Sequence, residues 1–411
     1  MLKLLENRAV INEEISGRIE LIKQLIPLGL EAVRDLLEQE VSNLVGDRYS
    51  RTGSENSRWG SNPGSVYLGD QKVSVGVPRV RNTATGKEVE LDSYAGLKDD
   101  GHFNEQVFSH VINGISTRKY EKAAELVPET FGIKKSSVSR KFKAATAKKL
   151  QELFERDLSK EDIIAIFIDG KFLRGTQVLI ALGVTMDGKK IPLGFIETAT
   201  ENANVCRAFI TGLSERGLNT EQEILFVVDG SKGLIKGIKA AVGDNAVIQR
   251  CQWHKRENIV SYLPKNLQAE FRRKLQSAYE QETYDKAKAR LKAIRKELSL
   301  INEDAARSLD EGLEETLTLH RLKVFNKIGR SFKTTNCIEN LNRGISRYVG
   351  RVCKWKNSDQ RRRWIASALL EMEPNFKVVE GYKQLPLLRL AMNDQNLQKE
   401  ESNGSEMKVA A

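Results

Sequence analysis

Residues Ile163–Gly175 read IIAIFIDGKFLRG, and the fold turns on how this stretch is interpreted. The apolar run from Ile163 to Ile168 is rich in branched and aromatic residues, the signature of a buried strand. Asp169 and Gly170 then stop the run. A carboxylate at the end of a buried strand is costly unless it is paired or bound to metal. The pattern recurs at Ile224–Gly230, ILFVVDG, where Asp229 follows the apolar run and precedes a glycine. Two strands with matching Asp-Gly ends suggest two carboxylates at one edge of one sheet. The competing reading makes each Asp-Gly a turn, which is the commoner use of that pair.

A third element weighs against two unrelated turns. In Lys333–Tyr348, KTTNCIENLNRGISRY, the polar run Thr334, Thr335, Asn336 leads into a helical pattern. Ile338, Leu341 and Ile345 are apolar at helical spacing, and Glu339 falls in the first turn. A glutamate there can also serve only as a capping or dipole partner. Between the second aspartate and this helix lies Cys251-Gln-Trp-His254. The phrases FIDGKFLRG, FVVDGSKGL, CQWHKREN and TTNCIENLNR, in this order, resemble the Mutator-type transposases of bacterial insertion sequences. The resemblance runs from about Leu150 to about Pro374, and four ordered motifs are far more specific than any one alone.

The resemblance implies an α/β RNase H-like catalytic core of the DDE class, with Asp169, Asp229 and Glu339 as catalytic residues and metal ligands. It implies two Mg2+ ions, with Mn2+ as a substitute, because phosphodiester chemistry uses hard cations on carboxylate oxygens. It implies double-stranded DNA with terminal inverted repeats, and a target DNA, as partners. A homodimer or higher oligomer is expected, since two element ends must be brought together. Cys251 and His254 are auxiliary in this scheme. They lack the second ligand pair zinc needs, and magnesium prefers oxygen, so His254 is expected to orient a neighbour or contact DNA. Its alternative is an ordinary core or helix-terminal histidine. Arg343 and Arg347, four and eight residues after Glu339, are expected to meet phosphates. Two positions depart from the family's habit: Ser346 stands where a basic residue is common, and Asn340 where arginine often follows the glutamate. These touch the DNA contacts, not the triad.

Composition agrees with such partners. The 411 residues suffice for two or three domains, and the net charge of +11 favours polyanions, above all nucleic acid. Cys206, Cys251, Cys337 and Cys353 are too scattered for a disulfide framework or structural zinc. Their use fits a reducing compartment, and with the resemblance a cytoplasmic, nucleoid-associated location is expected. No apolar run is long enough to span a bilayer, and no signal-peptide pattern is evident.

The remaining chain is expected to divide as follows. Residues 1–48 form a helical region whose stripe Leu30, Val33, Leu37, Val41, Leu44 packs on its own subunit or forms a dimer seam. Residues 49–100 hold a Ser/Gly/Asn/Arg-rich linker, Tyr49–Pro63, and a hairpin around the alternating Val66–Val80. Residues 101–158 show a helix, a turn at Pro128–Lys135 and a second helix capped by Ser136, the outline of a helix-turn-helix. Ser137, Ser139, Arg140 and Lys141 on that second helix suit major-groove contacts. The core then occupies 159–262 and 329–374. The interval from Asp229 to Glu339 is nearly twice that from Asp169 to Asp229, leaving room for a helical insertion at 263–328. Its basic residues, Lys265, Arg272, Arg273, Lys274, Lys288, Arg290, Lys292, Arg295 and Lys296, read as a solvated face or a DNA clamp. Residues 375–411 are expected to be a tail, disordered over Asn393–Lys408. The rival functions are a nuclease on the same core that cuts without joining, and a catalytically silent DNA-binding regulator.

Overall fold

The computed structural model describes residues 28–48, 55–68, 71–98, 108–109, 111–113, 135–173, 175–198, 202–350, 352 and 355–395. The chain divides into two compact units, Met1–Lys148 and Lys149–Ala411.

In the first unit, residues 28–45 form helix α1. Strands β1 (Asn56–Leu68) and β2 (Gln71–Asn82) make an antiparallel ribbon, with β3 (Glu88–Val89) at the edge of β2 and helix α2 (Asp92–Lys98) following. Val33, Leu37, Val41 and Val45 of α1 pack on Val66, Val75, Val77 and Val80 of the ribbon. The expected stripe is therefore buried on the chain's own sheet. Tyr49–Pro63 is not a linker throughout: from Asn56 it is strand, with a bulge between Arg58 and Ser61. Its composition mimics a loop because Gly60, Ser61, Asn62 and Pro63 all lie on exposed strand, and proline is tolerated at edges and bulges. The first helix of the expected helix-turn-helix lies outside the described residues, and the second is α3 (Lys135–Phe154).

The second unit holds a five-stranded sheet in the order β6-β5-β4-β7-β8. Strands β4 (Ile163–Leu173), β5 (Thr176–Thr185) and β6 (Lys190–Thr198) form an antiparallel meander. After helix α4 (Ala203–Glu215), β7 (Ile224–Val228) pairs parallel to β4. Helix α5 (Lys232–Val242) leads to β8 (Ala246–Arg250), parallel to β7. Every residue from Ile163 to Ile168 is at most 1 % exposed, so β4 is covered on both faces. That explains a continuous apolar run in place of alternation. On one face Ile166, Ile168, Phe226 and Val228 pack against Phe209, Ile210, Leu234 and Ile238 of α4 and α5.

After β8 the chain turns helical at Gln252, ahead of the 263–328 expected for the insertion. Helices α6 (Gln252–Ser261), α7 (Lys265–Tyr279), α8 (Tyr284–Ile301) and α9 (Glu303–Asp310) share a core that includes Ile259, Phe271, Leu275, Leu291, Ile294 and Leu309. Short helices α10 (Leu313–Thr316) and α11 (Thr318–Arg321) return to the sheet edge. There Gln249 Nε2 donates to Thr316 O at 3.0 Å, Leu319 N donates to Gln249 Oε1 at 3.0 Å, and Thr318 Oγ1 donates to Ile248 O at 2.6 Å. These buried bonds tie α10 and α11 to the edge strand β8. Helix α12 (Phe325–Phe332) precedes α13 (Asn336–Val349), and α14 (Ser358–Met372) packs on α13.

The expected tail is corrected. Residues 385–395 are helical (α15), and Val379, Leu385, Leu388 and Met392 are buried. Apolar residues at 385, 388 and 392 keep helical spacing, a signal masked by the polar run that follows. The rest of that run lies outside the described residues. Among the described residues no helix is long and apolar enough to cross a membrane.

Candidate active site

Asp169 lies inside β4 and does not close it. The strand continues to Leu173, because Gly175, with φ of 88°, turns the chain so that Leu173 pairs with Thr176 and Asp169 with Ile180. Asp229 does stand just past the end of β7. Its Oδ1 accepts from Ser231 N at 3.0 Å, Gly230 takes φ of 104°, and Ser231 then caps α5. The turn reading thus holds for the second Asp-Gly and fails for the first. Because Ile168 pairs with Val228, the two aspartates follow directly after paired residues, Asp169 within β4 and Asp229 just beyond β7.

The face of β4 that carries Phe167 and Asp169 is covered by the segment around Glu339. Phe167 stacks on Phe332 at 5.5 Å between ring centroids, which places the end of α12 over the strand. One helix further on, Asn342 Nδ2 donates to Asp169 Oδ2 at 2.8 Å. Cys251 N donates to Val228 O at 2.7 Å and Gln252 N to Lys333 O at 3.0 Å, joining the start of α6 to both β7 and the α12–α13 link. Thr335 then sits between the motifs. Its hydroxyl lies 3.3 Å from His254 Nδ1, 3.5 Å from Cys251 Sγ and 3.2 Å from Glu339 Oε1. His254 Nε2 is 4.0 Å from Glu339 Oε1. Four segments far apart in the chain therefore meet at one end of the sheet.

The electrostatics are those of crowded acids. Burial, first, and the negative charge of Asp229 and then Glu339 push the Asp169 carboxyl up to about 6, against the opposing effects of His254 and Asn342. Burial pushes the His254 imidazole down. The hydrogen bond and charge of Cys251, with the charges of Asp169 and Asp229, outweigh that and carry it to about 9. Burial also pushes the Cys251 thiol up, and the hydrogen bond and charge of His254 more than offset it, leaving the thiol below its ordinary value. His254 thus stands in the first turn of α6, beside Thr335 and within 4.0 Å of Glu339, in a setting that favours its charged form.

The donor set is hard oxygen, the kind that suits magnesium, and Asp169 and Asp229 each follow one of the paired residues Ile168 and Val228. Glu339 is engaged with Thr335, and among the described residues no three His, Cys, Asp or Glu side chains stand close enough together to hold one metal ion. The carboxylates have the donor chemistry that a divalent cation takes.

The other expected contacts divide. Arg343 and Arg347 are both exposed on α13, and Arg343 Nη2 donates to Asn340 Oδ1. Ser139 and Arg140 are exposed on α3, while Lys141 lies 5.2 Å from the centre of the Tyr67 ring. Ser137 is helical, but its side chain lies outside the described residues. In the insertion, Arg272 pairs with Glu257, Lys274 with Glu270 and Glu297, Lys288 with Glu314, and Arg295 with Asp310. Four of the nine expected cations thus have acidic partners at the surface. Sequence reasoning missed Asn342 and the linking role of Thr335. A signal for Asn342 was present: it sits beside Leu341 within the apolar stripe of α13 and is only 4 % exposed. A buried amide on an apolar face normally has a specific partner.

A mixed α/β unit with crowded acids and one imidazole at a sheet end defines a class of candidate enzyme, and comparison with known proteins narrows it. The family described as "Transposase, Mutator family" matches residues 2–379, and the chain belongs to it. It is 29 % identical over 357 residues to the transposase for insertion sequence element IS905 of Lactococcus lactis, covering 84 % of this chain and 88 % of that one. The transposase for insertion sequence element IS256 in transposon Tn4001 of Staphylococcus aureus is 27 % identical over 306 residues, 67 % of this chain and 75 % of its own. That for ISRM5 of Rhizobium meliloti is 26 % identical over 315 residues, 70 % and 76 % respectively.

Proposed function

We propose that this chain is a DDE-type DNA transposase with an RNase H-like core, cutting DNA at insertion-sequence ends and joining the freed 3′-OH to another phosphodiester. The observation that carries this is the placement of Asp169 on β4 next to Asp229 at the end of the parallel strand β7, with Asp169 held near 6 by burial and by its acidic neighbours. The sheet supports the core assignment: an antiparallel meander, then two parallel strands added beside its first strand, with helices between.

In this reading Asp169, Asp229 and Glu339 hold two Mg2+ ions, for which Mn2+ can substitute. Bound there, the ions supply positive charge for the attacking and leaving oxygens of an in-line displacement. The chain's own residues do the rest. Asn342 fixes the Asp169 carboxylate. His254 offsets surplus negative charge and, through Thr335, shares the environment of Glu339. Arg343 and Arg347 lie on the helix of Glu339 to meet flanking phosphates. In cutting, a water oxygen bonds to phosphorus and the 3′ oxygen leaves, taking up a proton. In joining, that 3′-OH loses its proton, bonds to a target phosphorus and expels another 3′ oxygen. One phosphodiester replaces another, so no protein nucleophile is required. The partners are duplex DNA with terminal inverted repeats and a target duplex, bound by a homodimer or larger assembly.

The test is cleavage and joining of duplexes carrying the element's ends, with Mg2+ and with EDTA. Wild type should cut and join only with the metal. Asp169→Asn should do neither and still bind the DNA. Cutting without joining of precut ends would leave a nuclease. Unaltered activity of the variant would remove Asp169 from the site.

A further inference from the structure

We propose that Trp253 is a stacking platform for the terminal base pair of a cut DNA end. The proposal rests on the transposase reading and adds the feature of the substrate that the site grips. Trp253 lies on the first turn of α6, and its side chain is 44 % exposed. A large aromatic ring left open to water forgoes the burial that normally accounts for its presence. It is not part of the core of α6, whose buried residues are Gln252, Lys255, Ile259 and Val260. Other large exposed apolar side chains of this unit lie elsewhere. Among the described residues, Tyr262 ends α6, Leu300 and Ile301 belong to α8, Val378, Leu387 and Leu390 follow α14, and Phe172 points to the opposite face of β4 from Asp169.

Trp253 alone among these adjoins the acids. Its ring meets that of His254 at 4.8 Å and 76°, and His254 Nε2 is 4.0 Å from Glu339 Oε1. An edge-on contact covers at most one face of the indole. The chemistry proposed for the site creates what an open indole face takes up. Cutting a duplex removes the stacked neighbour of the base pair at the new end and exposes an apolar π-face. Aromatic side chains beside nucleic-acid sites stack on bases with little sequence preference. At the rim of the carboxylates, such a platform would hold the 3′ end in place for the joining step.

The rival is that Trp253 only braces His254, and two readouts separate them. The first is indole fluorescence without divalent metal, titrating a precut duplex with an open end against the same duplex closed by hairpin loops. The open end should quench wild type more strongly, and Trp253→Ala should abolish that excess, with Trp59, Trp355 and Trp364 as the background. The second is joining of precut ends in Mg2+. Trp253→Ala should slow it about tenfold or more, and Trp253→Phe should stay within about threefold of wild type. An end lacking its terminal base should slow wild type to the level of Trp253→Ala and leave that variant unchanged. A brace would instead give losses that multiply, with no difference between open and closed ends, and that result overturns the proposal. Joining by Trp253→Ala at the wild-type rate overturns it too. Failure of wild type to cut or join in Mg2+ counts against the transposase reading, while the metal-free quenching still reports on stacking.

Discussion

At Asp169 the apolar run continues as strand to Leu173, because β5 folds back beside it through the turn at Gly175. At Asp229 the run ends at Val228, because both neighbours of β7 are parallel and the chain must leave for α5. The local sequences are nearly the same: a hydrophobic stretch, then Asp-Gly. Their surroundings make them different carboxylates. Asp169 is enclosed by β5 and Asn342 and is 8 % exposed; Asp229 is half-buried and folds its own turn by accepting from Ser231 N. What distinguishes them is which strand lies alongside, and a local motif does not encode that.

The largest effect should be on chemistry, and it should erase the contrast. Asp169→Asn and Asp229→Asn are each expected to lower metal-dependent cleavage by on the order of 10³-fold or more, because both stand at the reacting end. A single-turnover assay checks this, and retention of activity by either one would separate that residue from the site. Next comes backbone strain, where the two glycines should part. Gly230 has φ of 104°, and a methyl there would overlap the Arg250 guanidinium. Gly230→Ala should therefore cost roughly 2–4 kcal/mol. Gly170 lies in extended strand, so Gly170→Ala should stay within about 1 kcal/mol of wild type. Denaturant titration of both variants gives the comparison; equal losses would mean that Asp169-Gly170 is also a turn.

Asn342→Ala should come third, with a rate loss of about 10- to 100-fold, the range found when a group orienting a ligand is removed. Metal-free DNA affinity should not change, and a filter-binding measurement alongside the rate checks both halves of the claim.

The smallest effect concerns stability and pH. A carboxyl raised to about 6 is one whose charged form is disfavoured in the folded protein. Removing that charge by Asp169→Asn should stabilise the metal-free protein by on the order of 1–3 kcal/mol at pH 7. Between the ordinary carboxylate value and about 6, the folded state binds more protons than the unfolded one at this group. Its destabilising effect is therefore present above pH 6 and fades as pH falls through 6. The melting temperatures of wild type and Asp169→Asn should accordingly converge by about pH 4. A constant gap from pH 7 to pH 4 would place the strain somewhere other than at Asp169.

The sheet was largely legible because buried strands and amphipathic helices leave periodic traces. Val33, Leu37 and Val41 mark α1, and Ile224–Val228 marks β7. Legibility failed where composition and structure part company. Gly60–Pro63 look like loop and are exposed strand, and Leu385, Leu388 and Met392 form a helix ahead of a polar run. The acids could be named from the sequence, whereas the partners that hold them could not. Asn342 reaches Asp169 across 173 positions, and no local pattern announces a bond of that span.

The chain by itself determined which segments could be buried, where the acidic side chains stand along it, and the family to which it belongs, since these follow from side-chain chemistry and short-range spacing. Only the tertiary structure decided that the first Asp-Gly is strand and the second a turn, that His254 comes to lie beside Glu339, and that Glu339 is engaged with Thr335. Strand pairing and desolvation depend on which distant segments come together, and that is a property of the whole fold.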